Sequence, residues 1–394
     1  MSVWDDLVGQ TTVIAALRQA AIGHGMSHSW LFTGPPGSGR SNAAIAFAAA
    51  LQCEVDPPGC GTCHSCHTAV SGSHADITIV RTEKLSLGVD DVRTLVRSSA
   101  LAPVGRRWQV LIVEDADRLT EQACNALLKA IEEPTDRTVW LLCAPTVEDV
   151  LPTLRSRCRL VTLSTPTPQE VTGFLVRSGV GEPLAAYAAR ASQGHIGRAK
   201  ALARDEATRN RRKEVVSIPV KLRGLGDCMI AAANFAEAAK EEADAITSAL
   251  DDREKNDLDL TYGVVERGRR PREYAPALAA LARGQKLRAK RRQLDVVDRG
   301  LMDLVSFYRD AITVGVGSGS GLVNEELRAD VERVARMSSP ELNLRRIDAI
   351  FTAREQMLEF NVPVALALES MMVGLMTPNA APAPTHHLDR IATG

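Results

Sequence analysis

The stretch LFTGPPGSGRS, residues 31–41, has the pattern of a phosphate-binding loop with one required residue changed. Such a loop reads G-x-x-x-x-G-K followed by Ser or Thr, and Arg40 stands where the pattern requires lysine. Glycines allow backbone N–H groups to turn toward phosphate oxygens, and the N-terminus of the following helix adds a favourable field. The candidate nucleotide-binding residues are Gly34, Pro35, Pro36, Gly37, Ser38, Gly39, Arg40 and Ser41.

The arginine at position 40 affects hydrolysis more than binding. Lysine places a compact charge between two phosphates, whereas the guanidinium of Arg40 is longer, planar and forked. The loop therefore predicts a site for ATP or ADP with Mg²⁺ in which hydrolysis is inefficient. A glycine turn that binds no ligand is the alternative interpretation.

In VLIVEDAD, residues 110–117, two consecutive acids directly follow the apolar run VLIV. In enzymes that hydrolyse nucleotides, acids at the end of a buried strand hold Mg²⁺ and activate water. The usual order there is Asp then Glu, but this chain has Glu114 and then Asp115. The inverted order lengthens the first acid by one methylene and shortens the second. A displacement of a catalytic group by about 1 Å can lower the rate about 10²-fold. Glu114 and Asp115 are therefore candidate catalytic acids of a degenerate site, and capping of a strand end is the alternative.

Four of the eight cysteines lie within CEVDPPGCGTCHSCH, residues 53–67. C-x₂-C turns bring two thiolates to one ion, and tetrahedral Zn²⁺ takes four such ligands. We recognise no export signal, so the clustering favours a metal, with reduced thiols or a disulfide as the alternatives. Four protein ligands leave no position for water, so the predicted zinc is structural. The candidate ligands are Cys53, Cys60, Cys63 and Cys66, with His64 and His67 as bystanders.

Short apolar runs alternate with helical patterns up to about residue 165. The predicted strands are SWLFTG, DITIV, WQVLIVED, TVWLLCA and CRLVTL, and the predicted helices are RSNAAIAFAAALQ and TEQACNALLKAIEE. Runs that are apolar nearly throughout are typical of parallel strands covered on both faces. The pattern therefore predicts a parallel α/β domain over residues 1–165.

After the segment STPTPQEV only helical patterns remain. Thr167 is a predicted N-cap and Pro168 the first residue of the next helix. We predict a small helical domain over 166–208 and a helical bundle over 209–375, interrupted by the charged loop DDREKNDLD and by VGVGSGSGL. The Pro- and Ala-rich residues 376–394 are predicted to be disordered.

Composition narrows the class of protein. The 394 residues are 45% hydrophobic and 24% charged, as in an ordinary soluble protein that buries a core. The net charge of −1 gives no global attraction to nucleic acid or to a membrane. We find neither an apolar run of about 18 residues nor a signal-like beginning, so we expect a cytoplasmic protein with no membrane partner.

Several motifs together resemble the AAA+ subunits of the bacterial sliding-clamp loader. The most specific are NALLKAIEEP, residues 125–134, and LPTLRSRC, residues 151–158. The opening DDLVGQTTVIAALRQA, the phosphate loop and the cysteine insertion after its helix also match. The resemblance is strong to about residue 205. Beyond that residue it rests on helical character, on size and on the segment FNVPVALALESMM.

The resemblance implies an α/β AAA+ module with a parallel five-stranded RecA-like sheet, a small helical lid and an all-α collar for oligomerisation. It also implies a pentameric ring in which ATP opens the sliding clamp and places it on primed DNA. The implied direct partners are gamma/tau and delta subunits. The clamp and primer-template DNA are implied as partners of the whole assembly.

In the family, the arginine of the motif that corresponds here to Ser156, Arg157 and Cys158 reaches the ATP site of a neighbouring subunit. The resemblance therefore implies that Arg157 is an arginine finger acting in trans. Its positive charge stabilises the transition state, by about 10³- to 10⁵-fold in known cases. An ordinary surface arginine is the alternative.

Further departures separate this chain from the family members that hydrolyse ATP. Pro145 lies where a polar sensor is expected, and Gly197, followed by Arg198, lies where motor subunits carry a sensing arginine. Together with Arg40 and the inverted acids, these residues favour a non-hydrolysing structural subunit, the stator of the ring. We recognise no polymerase or nuclease carboxylate set, so such an activity would belong to the holoenzyme.

Two other hypotheses remain. An active AAA+ ATPase, either a motor subunit or another DNA-remodelling machine, requires Arg40 and the inverted acids to work as they stand. A zinc-dependent adaptor unrelated to replication leaves NALLKAIEEP unexplained.

The basic segments ERGRRPRE, residues 266–273, and KLRAKRRQ, residues 286–293, are candidates for contacts to DNA phosphates. A solvated surface is the favoured interpretation, because neither is interleaved with aromatic residues.

Overall fold

A computed structural model describes residues 2–81, 86–100, 102–105, 107–264 and 271–376. The chain divides into two compact units, Met1–Thr208 and Arg209–Gly394. Within the described ranges, every helix is too short or too polar to cross a membrane.

The first unit is built on one parallel sheet. Its strands are β1 (Ser29–Thr33), β2 (Ile77–Val80), β3 (Gln109–Val113), β4 (Thr138–Ala144) and β5 (Arg159–Thr162). They lie in the order β2-β3-β4-β1-β5, and every neighbouring pair is parallel. The five predicted strands and their parallel arrangement are confirmed. Because β1 lies between β4 and β5, the loop that follows β1 emerges beside the ends of both neighbours.

Alternate residues of the central strands enter two different cores. Trp30 and Phe32 of β1 pack in one core, while Leu31 between them packs in the other. This alternation buries both faces of the sheet and explains why the strands are apolar nearly throughout. The first core is covered by α1 (Thr11–Ala21), α2 (Arg40–Gln52) and α3 (His64–Ser71), and the second by α4 (Val89–Ser99) and α5 (Glu121–Glu132).

A short helix and a small helical group complete the first unit. The helices are α6 (Pro152–Arg155), α7 (Pro168–Arg177), α8 (Glu182–Ser192) and α9 (Ile196–Arg204). The start of α7 is as predicted, since the hydroxyl of Thr167 accepts a hydrogen bond from the backbone N–H of Glu170 at 3.3 Å. The Glu170 carboxylate accepts from the backbone N–H of Thr167 at 2.8 Å, which completes a capping box. We use the name lid for residues 166–208, which contain α7, α8 and α9.

The described part of the second unit is helical. Helix α10 (Glu206–Val216) spans the division between the units, and α11 (Leu225–Thr261), α12 (Tyr274–Gly315), α13 (Arg328–Met337), α14 (Pro340–Leu358) and α15 (Val364–Met376) follow. One core joins these helices, and Phe235, Phe307 and Met372 lie in it. The predicted break at VGVGSGSGL is present, because α12 ends at Gly315.

The predicted charged loop DDREKNDLD is wrong, because α11 continues without a break through Thr261. Its acids are held by the next helix. Arg288 of α12 donates hydrogen bonds to Asp251 at 2.5 Å and to Glu254 at 2.9 Å, and the Tyr274 hydroxyl donates to Asp259 at 2.5 Å. Contacts between the helices therefore outweigh the loop-like composition.

Two sequence predictions fall partly outside the described residues. Residues 266–270 of ERGRRPRE lie outside them, as do residues 377–394 of the predicted disordered tail. Met376, the first residue of that predicted tail, is the last residue of α15. In KLRAKRRQ, Arg288 is only 7% exposed, so this segment is not a uniformly solvated surface.

Candidate functional site

The candidate phosphate loop joins β1 to α2. Gly39 precedes the helix with φ of 95°, a left-handed conformation that glycine adopts without strain. Gly37 has φ of 82°, and a Cβ at this position would clash with the ring of His195 in the lid. Glycine at position 37 therefore allows the lid to approach the loop closely.

Backbone hydrogen bonds hold the loop in place. The N–H of Gly34 donates to the carbonyl of Pro145 after β4 at 3.0 Å, and the N–H of Ile196 donates to the carbonyl of Gly37 at 3.3 Å. The Ser38 side chain is 4% exposed, and its hydroxyl makes no hydrogen bond within the described ranges. The loop is thus preformed in front of the N-terminus of α2, where backbone N–H groups favour an anion.

The side chain of Arg40 is half-buried among acids. Burial lowers the pKa of Arg40, while Cys143, Asp117, Asp115 and Asp149 act in the opposite direction. Its Nη1 atom is buried and makes no hydrogen bond to any described residue. Arginine keeps its charge in proteins, so Arg40 supplies a fixed cation next to the loop.

The Glu114 carboxylate is engaged by a residue that we did not predict. Arg81 donates from Nε to Oε2 of Glu114 at 2.6 Å and from Nη2 to Oε1 at 2.9 Å. The Glu114 side chain is 8% exposed and that of Arg81 is 62% exposed. Arg81 directly follows β2, and the pairing of Val80 with Val113 places it beside Glu114. Both carboxylate oxygens of Glu114 are therefore already bonded within the chain.

This arrangement does not fit a magnesium site at the end of β3. Mg²⁺ demands near-octahedral oxygen ligands, usually including one or two carboxylates. Glu114 has both oxygens on Arg81, and burial raises the pKa of nearby Asp117. Over the described ranges, the sole group of three or more His, Cys, Asp or Glu suited to a metal is the cysteine group. The predicted catalytic roles of Glu114 and Asp115 stay predictions.

Arg157 lies between α6 and β5, next to the end of α5. Its Nη2 atom is 2.6 Å from Oε1 of Glu132, and its Nη1 donates to the carbonyl of Thr153 at 2.8 Å. The Arg157 side chain is 39% exposed and that of Glu132 is 44% exposed. The carbonyl of Arg157 accepts a hydrogen bond from the Ser29 hydroxyl at 2.5 Å, which fixes the backbone. The guanidinium is therefore accessible while its backbone is anchored.

Arg157 and the phosphate loop lie at opposite ends of the strands. We call the end at which the parallel strands begin the amino edge of the sheet, and the end at which they finish the carboxyl edge. Arg159, the first residue of β5, pairs with Trp30 of β1, and the phosphate loop begins after Thr33. From Trp30 to Thr33 the strand advances three residues, about 10 Å at about 3.3 Å per residue. Arg157 precedes β5 at the amino edge, whereas the loop emerges from the carboxyl edge. Arg157 therefore lies at the ends of the strands opposite those that carry the chain's own phosphate loop.

The four predicted zinc ligands lie together. The Sγ atoms of Cys53 and Cys63 are 3.9 Å apart, those of Cys60 and Cys66 are 4.0 Å apart, and all four lie within 4.8 Å of one another. A tetrahedral site with Zn–S distances of about 2.3 Å has S–S edges of about 3.8 Å, so the group fits Zn²⁺. All four cysteines are free thiols.

Hydrogen bonds favour the thiolate form of Cys60, whereas burial opposes the thiolate form of Cys66. The hydroxyl and N–H of Thr62, with the N–H of Cys63, lower the pKa of Cys60 to about 6. Burial raises the pKa of Cys66. The metal-binding group among the described residues consists of cysteines alone, so the interpretation of His64 and His67 as bystanders agrees with the geometry.

The cysteine group is attached to the N-terminal segment. The N–H of Val3 donates to the carbonyl of Gly59 at 3.1 Å, and Nε1 of Trp4 donates to the carbonyl of Pro58 at 3.4 Å. A Cβ at Gly59 would clash with the Trp4 indole. Trp4 is 3% exposed, so the cysteine insertion is packed onto the α/β domain.

Comparisons with known proteins agree on one family. A sequence model of the family described as "DNA polymerase III, delta subunit" matches residues 9–167. The Escherichia coli DNA polymerase III subunit delta' is 38% identical over 196 residues, which cover 48% of this chain and 57% of the relative. The Mycobacterium tuberculosis subunit gamma/tau is 35% identical over 175 residues, 44% of this chain and 30% of the relative.

The N-terminal module belongs to the clamp-loader AAA+ family. The matched segment spans 30% to about half of the length of these clamp-loader relatives. Among solved structures, a gamma-subunit-related protein from Thermotoga maritima superposes with a TM-score of 0.36 at 19% identity, over 74% of this chain and 98% of that chain.

Pro145, where a polar sensor is expected from the sequence, contacts the phosphate loop, and Gly197 lies beside the lid residue that approaches the loop. The carbonyl of Pro145 accepts from Gly34, and Gly197 lies beside the His195 ring. The N–H of Arg198 donates to Nδ1 of His195 at 3.2 Å, so His195 caps α9. His195 is a second residue that sequence reasoning missed, because its contact with Gly37 joins two distant segments.

Proposed function

We propose that this chain is the delta-prime subunit of a DNA polymerase III clamp loader, a stator in a pentameric ring that loads the sliding clamp onto primed DNA. Arg157 then acts in trans on the ATP site of a neighbouring gamma/tau subunit. The observation that carries the proposal is the position of Arg157 at the sheet edge opposite the chain's own phosphate loop. An exposed guanidinium there is on the side of the sheet away from the chain's own loop, which supports a role toward a nucleotide held by another subunit.

The acids at the carboxyl edge support the absence of hydrolysis. The Glu114 carboxylate is bonded twice to Arg81, and Arg40 replaces the lysine of the loop. A base or metal ligand must have a free oxygen lone pair directed at the reacting group. Glu114 is therefore engaged by Arg81, which supports inefficient hydrolysis at the chain's own site, while its finger serves the neighbour.

The partners in this proposal are gamma/tau, which receives Arg157, and delta. The sliding clamp and primer-template DNA are engaged through the assembly. The curated relatives carry the names of DNA polymerase III subunits, which supports this set of partners. The helical residues 209–375 are proposed to be the collar through which the ring assembles, and residues 166–208 the lid domain.

Arg157→Ala in the reconstituted assembly tests the proposal. With gamma/tau and delta from the same organism, we expect the variant to lower ATP turnover at the neighbouring site by about 10³-fold or more. The matched control is Arg155→Ala, since Arg155 is also exposed and lies two residues earlier. Phosphate release in a single turnover measures the effect. Unchanged turnover with Arg157→Ala would reject the stator proposal.

A hydrolysing AAA+ subunit, like gamma/tau, is the second candidate. Two observations favour it, the preformed phosphate loop and the 35% identity to gamma/tau. This candidate predicts ATP turnover by the purified chain that Arg40→Ala abolishes. The stator proposal predicts negligible turnover by the wild-type chain alone, so one assay separates the two.

Zinc is the proposed structural cofactor of the chain. When bound, Zn²⁺ cross-links Cys53, Cys60, Cys63 and Cys66, and thereby stabilises the insertion that holds Trp4. We expect one zinc per chain by elemental analysis and none in Cys66→Ser. Loss of the ion is expected to quench or shift the fluorescence of Trp4 and to lower the unfolding temperature. Cys124→Ser changes a buried cysteine outside the group and controls for lost packing. A full zinc content in Cys66→Ser would contradict the assignment.

A further inference from the structure

We propose that the phosphate loop of this chain takes a nucleotide polyphosphate without a divalent cation, because Arg81 occupies the carboxylate that would hold the metal. This inference goes beyond the stator role, which depends on Arg157 at the other edge of the sheet. It concerns the form in which a nucleotide occupies the chain's own loop.

The geometry of the Arg81–Glu114 pair is the first step. Two guanidinium nitrogens of Arg81 donate to the two carboxylate oxygens of Glu114 at 2.6 and 2.9 Å, which is a forked, bidentate arrangement. Glu114 is nearly buried, so its carboxylate would be costly to leave without a counter-ion. Arg81 is fixed in the chain beside it by the pairing of β2 with β3. A cation from solution would have to displace this attached one.

The other acids near the loop interact electrostatically with Arg40. Asp115, Asp117 and Asp149 all act on Arg40, so their charge is spread around one guanidinium. The Asp149 carboxylate also accepts from the N–H of Thr146 at 2.9 Å. Across the described ranges, these acids do not gather into a group of three suited to a metal. The Arg81 guanidinium thus engages the carboxylate that a nucleotide-hydrolysing site would use for its metal.

The groups left for a polyphosphate are those of the chain itself. The N-terminus of α2 offers backbone N–H groups, and Arg40 offers a charge with one buried nitrogen that makes no hydrogen bond to a described residue. Neither group requires a metal to bind phosphate oxygens. The neutralised Glu114 adds less repulsion than a free carboxylate would.

The experiment measures the binding of ATP to the full chain with and without Mg²⁺. Buffers are freed of divalent cations on a chelating resin and not by a dissolved chelator, so that the cysteine group keeps its metal. For the wild type we expect dissociation constants that agree within about threefold. Arg81→Gln frees Glu114, and we expect it to bind ATP about tenfold or more tightly with Mg²⁺ than without it.

Two variants control for fold and charge. Arg93→Gln removes an exposed arginine that pairs with Asp90 at 3.5 Å, and we expect it to behave like the wild type. Arg81→Lys keeps the positive charge at position 81, and we expect it to remain independent of Mg²⁺. Circular dichroism of each variant checks that the fold is retained.

Three results would overturn the inference. One is a wild type that binds ATP about tenfold more weakly without Mg²⁺, and another is an Arg81→Gln variant that gains no dependence on Mg²⁺. The third is a wild type that binds no ATP under either condition. None of these bears on the stator proposal, which is tested by the effect of Arg157→Ala on the neighbour's turnover and by the turnover of the chain alone.

Discussion

The two edges of the parallel sheet each carry an arginine–glutamate pair, and the pairs differ in burial and geometry. At the carboxyl edge, Arg81 makes two hydrogen bonds to Glu114, whose side chain is 8% exposed. At the amino edge, Arg157 makes a single ion contact with Glu132, and both side chains are well exposed. The guanidinium of Arg81 is therefore firmly bound to Glu114, whereas that of Arg157 is bound to Glu132 only weakly.

This difference matches the two roles that we propose. A forked pair with a nearly buried carboxylate holds Glu114 to Arg81. Exposed ion pairs contribute only about 0–1 kcal/mol, so Arg157 can leave Glu132 for a phosphate at little cost. A finger that acts on another subunit must be able to make this exchange. Burial of the partner acid therefore separates a structural arginine from a transferable one.

The pair of Arg288 with Glu254 extends this comparison and gives the largest expected loss of stability. Here the arginine is the buried partner, with its side chain 8% exposed, and it also pairs with Asp251. Arg288→Met is expected to lower the free energy of unfolding by about 2–3 kcal/mol, because two partly buried carboxylates lose their counter-ion. Urea unfolding followed by far-UV circular dichroism measures it.

A suitable control for Arg288 is Arg283→Met on the same helix. Arg283 is exposed, so its replacement is expected to change the free energy by less than about 0.5 kcal/mol. If both variants lost the same stability, burial would not be what distinguishes these arginines.

The carboxyl-edge pair is expected to show the next largest effect. Arg81→Ala leaves the nearly buried Glu114 without its counter-ion, and we expect a loss of about 1–2 kcal/mol. All four tryptophans, Trp4, Trp30, Trp108 and Trp140, lie in the first unit, so their fluorescence reports on its unfolding. Arg93→Ala is the control. A loss below about 0.5 kcal/mol would show that the fork is not a fixed feature.

The loss of stability of the second unit at low pH tests the pair formed by Arg288 and Glu254. Hydrogen bonds from Arg288 lower the pKa of Glu254 below its ordinary value of 4.5. The stability from this group is therefore fully present above about pH 4.5 and is lost as the pH falls through the lowered value. Glu254→Gln, which cannot titrate, is expected to show a shallower loss between about pH 4.5 and 3. Equal slopes for the variant and the wild type would contradict this.

Local patterns predicted the frame of the site, because strands, helix starts and C-x₂-C turns depend on nearby residues. The helix RSNAAIAFAAALQ is α2, and the four cysteines gather as expected. The partners across strands and domains were missed. Arg81 contacts Glu114 only because Val80 pairs with Val113 in the sheet. This register cannot be predicted from the segments DITIV and VLIVEDAD taken one at a time. The loop predicted for DDREKNDLD failed for a similar reason, since Arg288 lies on another helix.

The smallest expected effect on stability is that of the amino-edge pair, and it tests the proposed finger directly. A double-mutant cycle of Arg157→Ala and Glu132→Ala is expected to give a coupling energy of about 0–0.5 kcal/mol by tryptophan fluorescence, because both side chains face water. Glu132→Gln in the assembly is expected to leave the neighbour's turnover within about threefold, since the Ser29 hydroxyl still anchors the backbone of Arg157. A coupling above about 1.5 kcal/mol would mean that Glu132 retains the guanidinium. Arg157 would then be a structural arginine like Arg81, and its transfer to a neighbouring triphosphate would require breaking a bond that the fold depends on.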